Sequence, residues 1–150
     1  MKLAEALLLR SQYKAKLQNL QQRLLANVKV QGDDKPLEEP QALITEIFDL
    51  NDQLCELIKQ INDCNAKTKL ESGLTLADAI VHRDMVVKKR KILALAVDKA
   101  TEKEWQLSRS EIKLNVVIPV AEIQKKMDDL SKEYRELDTK IQALNWSTDL

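Results

Sequence analysis

Three stretches of this sequence carry apolar residues at alternating spacings of three and four, and this periodicity constrains the fold more than any other feature. Each stretch, called a seam below, lasts about three heptads. The seams are Leu3–Leu24, Leu43–Cys64 and Ile123–Leu144. Residues at this spacing share one face of a helix, so the repeat is typical of coiled coils and helical bundles. We therefore predict long helices at about residues 2–26, 39–66 and 120–146.

One more helix, the third in chain order, is predicted from about Leu76 to Trp105, and its apolar residues point in nearly every direction around the helix axis. These residues are Ile80, Val81, Met85, Val86, Val87, Ile92, Leu93, Ala94, Leu95 and Val97. A helix that is apolar all round is a buried one. We expect it to contact its own bundle on one side and another subunit on the other. Thr75, with Asp78 three residues later, is typical of a helix N-cap.

One stretch does not fit a helical protein, because apolar and polar residues alternate from Ser110 to Pro119 as they do in a strand. In an up-down-up-down bundle the first and third connections lie at the same end. We therefore predict that Val28–Val30 and Ile112–Ile118 pair as a small ribbon, which must pack its apolar face to be stable. The predicted fold is all-α, a single domain over residues 1–150, with four long antiparallel helices and a two-stranded β-ribbon at one end.

The charge pattern predicts which helices pair and which partners are excluded. The first predicted helix has five basic residues and one acidic residue, whereas the second has six acidic residues and one basic residue. Opposite charges on neighbouring helices favour their pairing. The net charge of +0 lacks the basic excess of a general nucleic-acid binder, so no nucleic acid is expected as a partner.

Three arginines, Arg10, Arg83 and Arg90, lie at or near positions that face a core. A buried arginine needs carboxylate partners, and the second helix offers several. The candidate partners are Glu46, Asp49, Asp52 and Glu56. We predict that these residues form a buried ion-pair layer that sets helix register or subunit pairing.

Catalytic and metal-binding motifs are absent from the sequence, so the protein is predicted not to be an enzyme and to bind no cofactor. The tripeptide His82–Asp84 matches the start of the protein-kinase catalytic loop, but position 89 is lysine where that motif needs asparagine. A di-iron bundle needs two Glu-x-x-His pairs, and the chain has a single histidine. Cys55 and Cys64 are expected to be free thiols, which indicates a reducing compartment.

One polar cluster is kept as an alternative site, although no small-molecule ligand is predicted. It lies around the turn between the second and third helices. Its members are Asn62, Asn65, Thr68, Arg83 and Asp84. We expect these side chains to cap the turn and to pair subunits, and a ligand-binding or enzymatic site there is the alternative.

Several stretches spread over the chain together resemble a family of small bacterial proteins named septicolysins. They are "MKLAEAL", "LLANVKVQG", the continuous segment Ile61–Asp84, "SRSEIK" and "IQALNW". The resemblance implies long antiparallel helices, and the name implies a cytolysin. It carries over no catalytic residues.

Taken together, these patterns predict a non-enzymatic scaffold or interaction protein that forms a homo-oligomer through the helix predicted from Leu76 to Trp105 or through the ribbon. The N-terminal run is interrupted by Glu5 and no apolar run reaches membrane length, so we expect a cytoplasmic protein. A membrane-active, pore-forming toxin is the alternative, as the name of the resembling family suggests.

Overall fold

The structure, a computed structural model, describes residues 1–102 and 114–150, and these residues form four α-helices. The helices are α1 (Leu3–Asn27), α2 (Pro40–Lys67), α3 (Leu76–Thr101) and α4 (Val120–Ser147). The all-α prediction is confirmed, and the predicted helix boundaries agree to within a residue except at the end of α3. There the helix ends at Thr101, and residues 103–105 of the predicted helix lie outside the described residues.

The predicted β-ribbon is wrong, since the two described ranges contain no strand. Residues 28–30 and 114–117 have irregular backbone, and residues 112 and 113 lie outside the described ranges. The β-like contacts in the described residues are isolated bridges, Lys2 with Asp149 and Lys69 with Thr75. A ribbon of this length is stable only when its apolar face is packed. Val28 and Val117 are 53% and 92% exposed, so that packing does not exist here.

The described chain divides into two compact units, and the single-domain prediction stays a prediction. The first unit contains residues 1–77 and 142–150, and the second contains residues 78–141. In the first unit, α1 and α2 pack their seams against each other, as their opposite charges predict. Leu20, Leu43 and Leu50 are buried at the centre of this contact. The half-buried side chains around them are Tyr13, Leu17, Leu24 and Ile47.

Ion pairs across the α1–α2 contact show that these two helices are antiparallel. Near the middle, Lys16 Nζ lies 2.9 Å from Glu46 Oε1. Seven residues later on α1, Arg23 Nε donates to Glu38 at 3.0 and 3.1 Å, just before α2 begins. These hydrogen bonds raise the pKa of Arg23 and lower the pKa of Glu38 relative to their ordinary values. One helix therefore runs up while the other runs down, so both seams face a common core.

A tight turn connects α2 to α3. The backbone N–H of Gly73 donates to Leu70 O, and the N–H of Leu76 donates to Thr68 O. Gly73 has φ of +86°, a left-handed conformation that residues with a Cβ atom rarely adopt. Thr75 directly precedes the first residue of α3, as its predicted N-cap role requires.

The two ends of the described chain are joined within the first unit. The N–H of Leu3 donates to Thr148 O, and the N–H of Leu150 donates to Met1 O, both at 2.9 Å. Lys2 Nζ also lies 2.9 Å from Asp149 Oδ1. The residues after α4 thus hydrogen-bond to the N-terminus of α1 and fix it.

Candidate interaction surface

Helix α3 has a buried side and an exposed side, and both are apolar. Ala79, Val86 and Val97 are 0%, 1% and 7% exposed. On the opposite side, four large apolar residues are between 40% and 66% exposed: Val81, Met85, Ile92 and Leu95. The prediction that one side of this helix packs within the chain is confirmed. Contact of the other side with a second subunit stays a prediction.

The side of α3 that carries Arg83 faces α4. Arg83 Nη1 donates to Asp138 Oδ1 at 2.9 Å, and its Nε donates to the neighbouring Asp84 at 3.3 Å. Partial burial of the guanidinium opposes its charge, but the hydrogen bonds to the two carboxylates outweigh that effect. The pKa of Arg83 therefore lies above its ordinary value, and the residue is a fixed positive charge in the contact between the helices.

Two further polar contacts fix the register of α3 against α4. His82 Nε2 lies 2.9 Å from Glu133 Oε1. Arg90 Nε donates to Ser131 Oγ at 2.7 Å. Arg90 follows Arg83 by seven residues, and Ser131 precedes Asp138 by seven. The contacts therefore advance in opposite directions along the two helices, which makes α3 and α4 an antiparallel hairpin.

A groove lies along each side of this hairpin. One has a volume of about 490 Å³ and combines apolar residues such as Val86 and Tyr134 with the basic residues Arg90, Lys91 and Arg135. The other, of about 460 Å³, is lined by Ile92 and Leu130 among other residues. Both grooves lie within the second unit.

Val87, which is 46% exposed, lies elsewhere on α3, but the other four exposed large apolar residues lie along one line. Together with Lys88, their spacings are four, three, four and three residues. We call the line Val81, Met85, Lys88, Ile92 and Leu95 the outer stripe. Its spacing is that of a coiled-coil contact face, here facing away from the buried side of the helix. The sequence pattern does not reveal this stripe, because α3 has apolar residues on all sides.

The predicted polar cluster is divided between the two units. Asn62, Asn65 and Thr68 belong to the first unit, where Thr68 Oγ1 lies 3.7 Å from Cys64 Sγ. Asn62 is exposed and Asn65 is half-buried. Arg83 and Asp84 belong to the second unit and contact each other.

The residues of the predicted ion-pair layer have the following positions. Arg10 is half-buried, whereas Asp49 and Asp52 are exposed. Glu46 pairs with Lys16, and Glu56 pairs with Lys59 on its own helix. The layer as a whole stays a prediction.

Sequence reasoning missed the partners on α4, which are Glu133, Ser131 and Asp138. Asp138 directly follows the seam residue Leu137, and a charged residue beside a seam can pair with a charge on the neighbouring helix. The partner of such a residue can be named only when the register of the two helices is known.

Across residues 1–102 and 114–150, no group of three or more histidine, cysteine, aspartate or glutamate side chains could hold a metal ion. In the same ranges, no helix is both long enough and apolar enough to cross a membrane. Cys55 and Cys64 are free thiols.

These features define an all-α protein of long paired helices that leaves an apolar heptad stripe on its surface. More particularly, the chain belongs to the family of unknown function DUF6847, whose model matches residues 10–150. It is similar to a functionally unknown conserved protein from Corynebacterium diphtheriae, known from its crystal structure. The two chains are 42% identical with a TM-score of 0.93, and the match covers 100% of this chain and 98% of the other.

No curated protein matches. Neither finding carries the septicolysin name, so that resemblance stays a prediction.

Proposed function

We propose that this protein is a non-enzymatic interaction protein whose working form is a homo-oligomer joined through the outer stripe of α3. One observation carries the proposal: Val81, Met85, Ile92 and Leu95 are 40% to 66% exposed and lie at heptad spacing along one helix face. Single exposed apolar residues are normal on a protein surface, whereas a contiguous apolar patch is typical of an interaction site.

The spacing of the stripe supports a helix as the binding partner. Side chains at alternating intervals of three and four insert between those of a facing helix with the same repeat. Burying each half-exposed aliphatic side chain contributes roughly 1 kcal/mol. A second copy supplies an identical stripe, so a two-fold contact doubles the buried area. Because association has a large entropic cost, the contact needs several layers of the stripe together with its flanking charges.

The free thiols of Cys55 and Cys64 support a reducing compartment, and we propose the cytoplasm.

The test replaces one central apolar residue of the stripe with a charge. We expect the wild-type protein at micromolar concentration to have a mass in solution that is a multiple of 17.2 kDa. Ile92→Glu places a carboxylate in the middle of the contact, so this variant should have the mass of a single chain. Leu8→Glu is the matched control, because Leu8 is similarly exposed, at 57%, but lies on α1.

Sedimentation equilibrium or light scattering gives the mass, and circular dichroism checks that all three proteins remain helical. A wild-type protein that stays a single chain throughout the micromolar range would overturn the proposal. So would an Ile92→Glu protein that assembles as the wild type does.

A further inference from the structure

We infer that two copies pair through their α3 helices in an antiparallel orientation, with Asp84 of one copy facing the partner's Lys91. This inference rests on the proposed function and adds the orientation and the register. It follows from the position of one lysine inside the outer stripe and of two opposite charges beside it.

Lys88 decides between the parallel and antiparallel orientations. It occupies the centre of the outer stripe, with two apolar residues before it and two after it. In a parallel pair in register, each residue of the stripe meets its own copy, so Lys88 would lie against the partner's Lys88. Like charges in such a contact are repulsive. In an antiparallel pair Lys88 lies against an apolar residue, and its aliphatic stem can pack there while the ammonium group reaches water.

The antiparallel register that centres between Met85 and Lys88 gives each of its four central layers an apolar residue. It places Met85 of each copy against the partner's Lys88, and Val81 against the partner's Ile92. Each contact occurs twice because the pair has two-fold symmetry. Each of these four layers then contains at least one long or branched apolar side chain, and Leu95, the fifth residue of the outer stripe, lies beyond them at the level of the partner's Asp78.

The flanking charges select this register over its neighbour. Asp84 and Lys91 each precede a stripe residue by one position, and so they lie in the same row beside the stripe. In the inferred register each Asp84 faces the partner's Lys91, which gives two ion pairs. A shift of one heptad would bring Asp84 against the partner's Asp98 and Lys91 against the partner's Lys91. Charge complementarity at such positions sets register and partner choice.

Both charged residues are accessible for this contact. The side chain of Asp84 is 54% exposed, and its contact in the structure is with Arg83 on the same helix. Lys91 is exposed. In the inferred register the ammonium group of the partner's Lys88 also lies next to Asp84, so this carboxylate is flanked by two positive charges.

The first experiment exchanges the charges. Asp84→Lys alone and Lys91→Asp alone each bring like charges together twice, so each variant should dissociate into single chains with at least about a tenfold rise in dissociation constant. An equal mixture of the two variants restores both ion pairs between unlike chains, and we expect it to form mixed dimers. Asp98→Lys is the control that should dimerise like the wild type.

The second experiment uses cysteine cross-linking in a background with Cys55→Ser and Cys64→Ala. Val81→Cys and Ile92→Cys chains, mixed under oxidising conditions, should form a disulfide between unlike chains. Each variant alone should not cross-link, because identical positions lie about 16 Å apart along the helix axis in this register. In a parallel pair, each variant alone would cross-link with itself.

The outcomes separate the inference from the proposed function. A wild-type dimer whose single charge variants dissociate, and whose mixture reassociates, supports both. A wild-type dimer that is unaffected by Asp84→Lys, or a self-cross-linked Val81→Cys protein, overturns the antiparallel register and leaves the proposed function standing. A wild-type protein that remains a single chain overturns both.

Discussion

At the scale of single residues, the side chain of Asn27 holds together the end of α1 and the approach to α2. Its Nδ2 donates to Arg23 O at 2.8 Å, and its Oδ1 accepts from the N–H of Glu38 at 3.0 Å. The residue is only 8% exposed, so water cannot easily replace these partners. A buried polar group is stable when its hydrogen bonds are made, and here they also fix the loop.

We expect Asn27→Ala to lower the free energy of unfolding by about 1–3 kcal/mol, because it leaves the Glu38 N–H without its acceptor. Chemical denaturation monitored by circular dichroism measures the change. Asn27→Asp keeps an acceptor for that N–H but buries a carboxylate against Arg23 O at the C-terminus of α1, so it should destabilise the protein as well. An alanine variant as stable as the wild type would contradict this role.

The ion pair of Lys2 and Asp149 makes the stability of the folded protein depend on pH. The hydrogen bond from Lys2 holds the pKa of Asp149 below its ordinary value of about 3.9. The folded state thus favours the ionised carboxylate. The pair stabilises the protein above that ordinary pKa, and the contribution is lost as the pH falls through the lower folded pKa.

We therefore expect Asp149→Asn to lower the melting temperature slightly near neutral pH. The difference from the wild type should disappear in acid, once Asp149 is protonated in both states. Thermal unfolding at a series of pH values provides the measurement. A difference that stays constant down to the lowest pH would show that the carboxylate charge contributes nothing.

At the scale of helices, the α3–α4 hairpin combines an apolar contact with polar contacts spaced one heptad apart. Arg83 bridges to Asp138, and the side chains of both are less than one third exposed. Arg90, one heptad later, contacts the neutral hydroxyl of Ser131. The two arginines occupy equivalent positions on α3, so their different partners allow a matched comparison.

We expect Arg83→Met to destabilise the protein by about 1–3 kcal/mol, because it leaves the partly buried Asp138 carboxylate unpaired. Arg90→Met should cost less, since only a hydroxyl loses its donor. Adding Asp138→Asn to Arg83→Met should recover part of the loss, which a double-mutant cycle measures. Equal losses for the two arginine variants would show that the Asp138 pair contributes no specific stability.

At the scale of the whole molecule, assembly and folding are linked when copies associate. A folded state that binds a second copy is stabilised in proportion to the logarithm of protein concentration. The melting temperature of the wild-type protein should therefore rise with concentration, whereas that of Ile92→Glu should not. Scanning calorimetry over a wide range of concentrations tests this. A concentration-independent wild-type melting temperature would be inconsistent with self-association through the outer stripe.

Local periodicity determines the helices of this protein, and for that reason the sequence alone predicts them well. The boundaries of α1, α2 and α4 follow from where the spacing of three and four begins and ends. The pairing of α1 with α2 also follows, because complementary seams such as those of Leu20 and Leu43 carry opposite flanking charges. The helices depend on residues close in sequence, and their pairing depends on the net charge of each helix, so both can be predicted without tertiary information.

Tertiary structure alone decided which polar residues meet and which apolar residues stay exposed. The strand-like alternation near residue 28 and before Pro119 predicted a ribbon, but a short ribbon forms only if other elements cover its apolar face, and none does so in the described residues. Arg83 selects Asp138 because of the register between two helices far apart in sequence. The exposed outer stripe is likewise a property of packing, since the apolar pattern of α3 is the same on its buried and exposed sides.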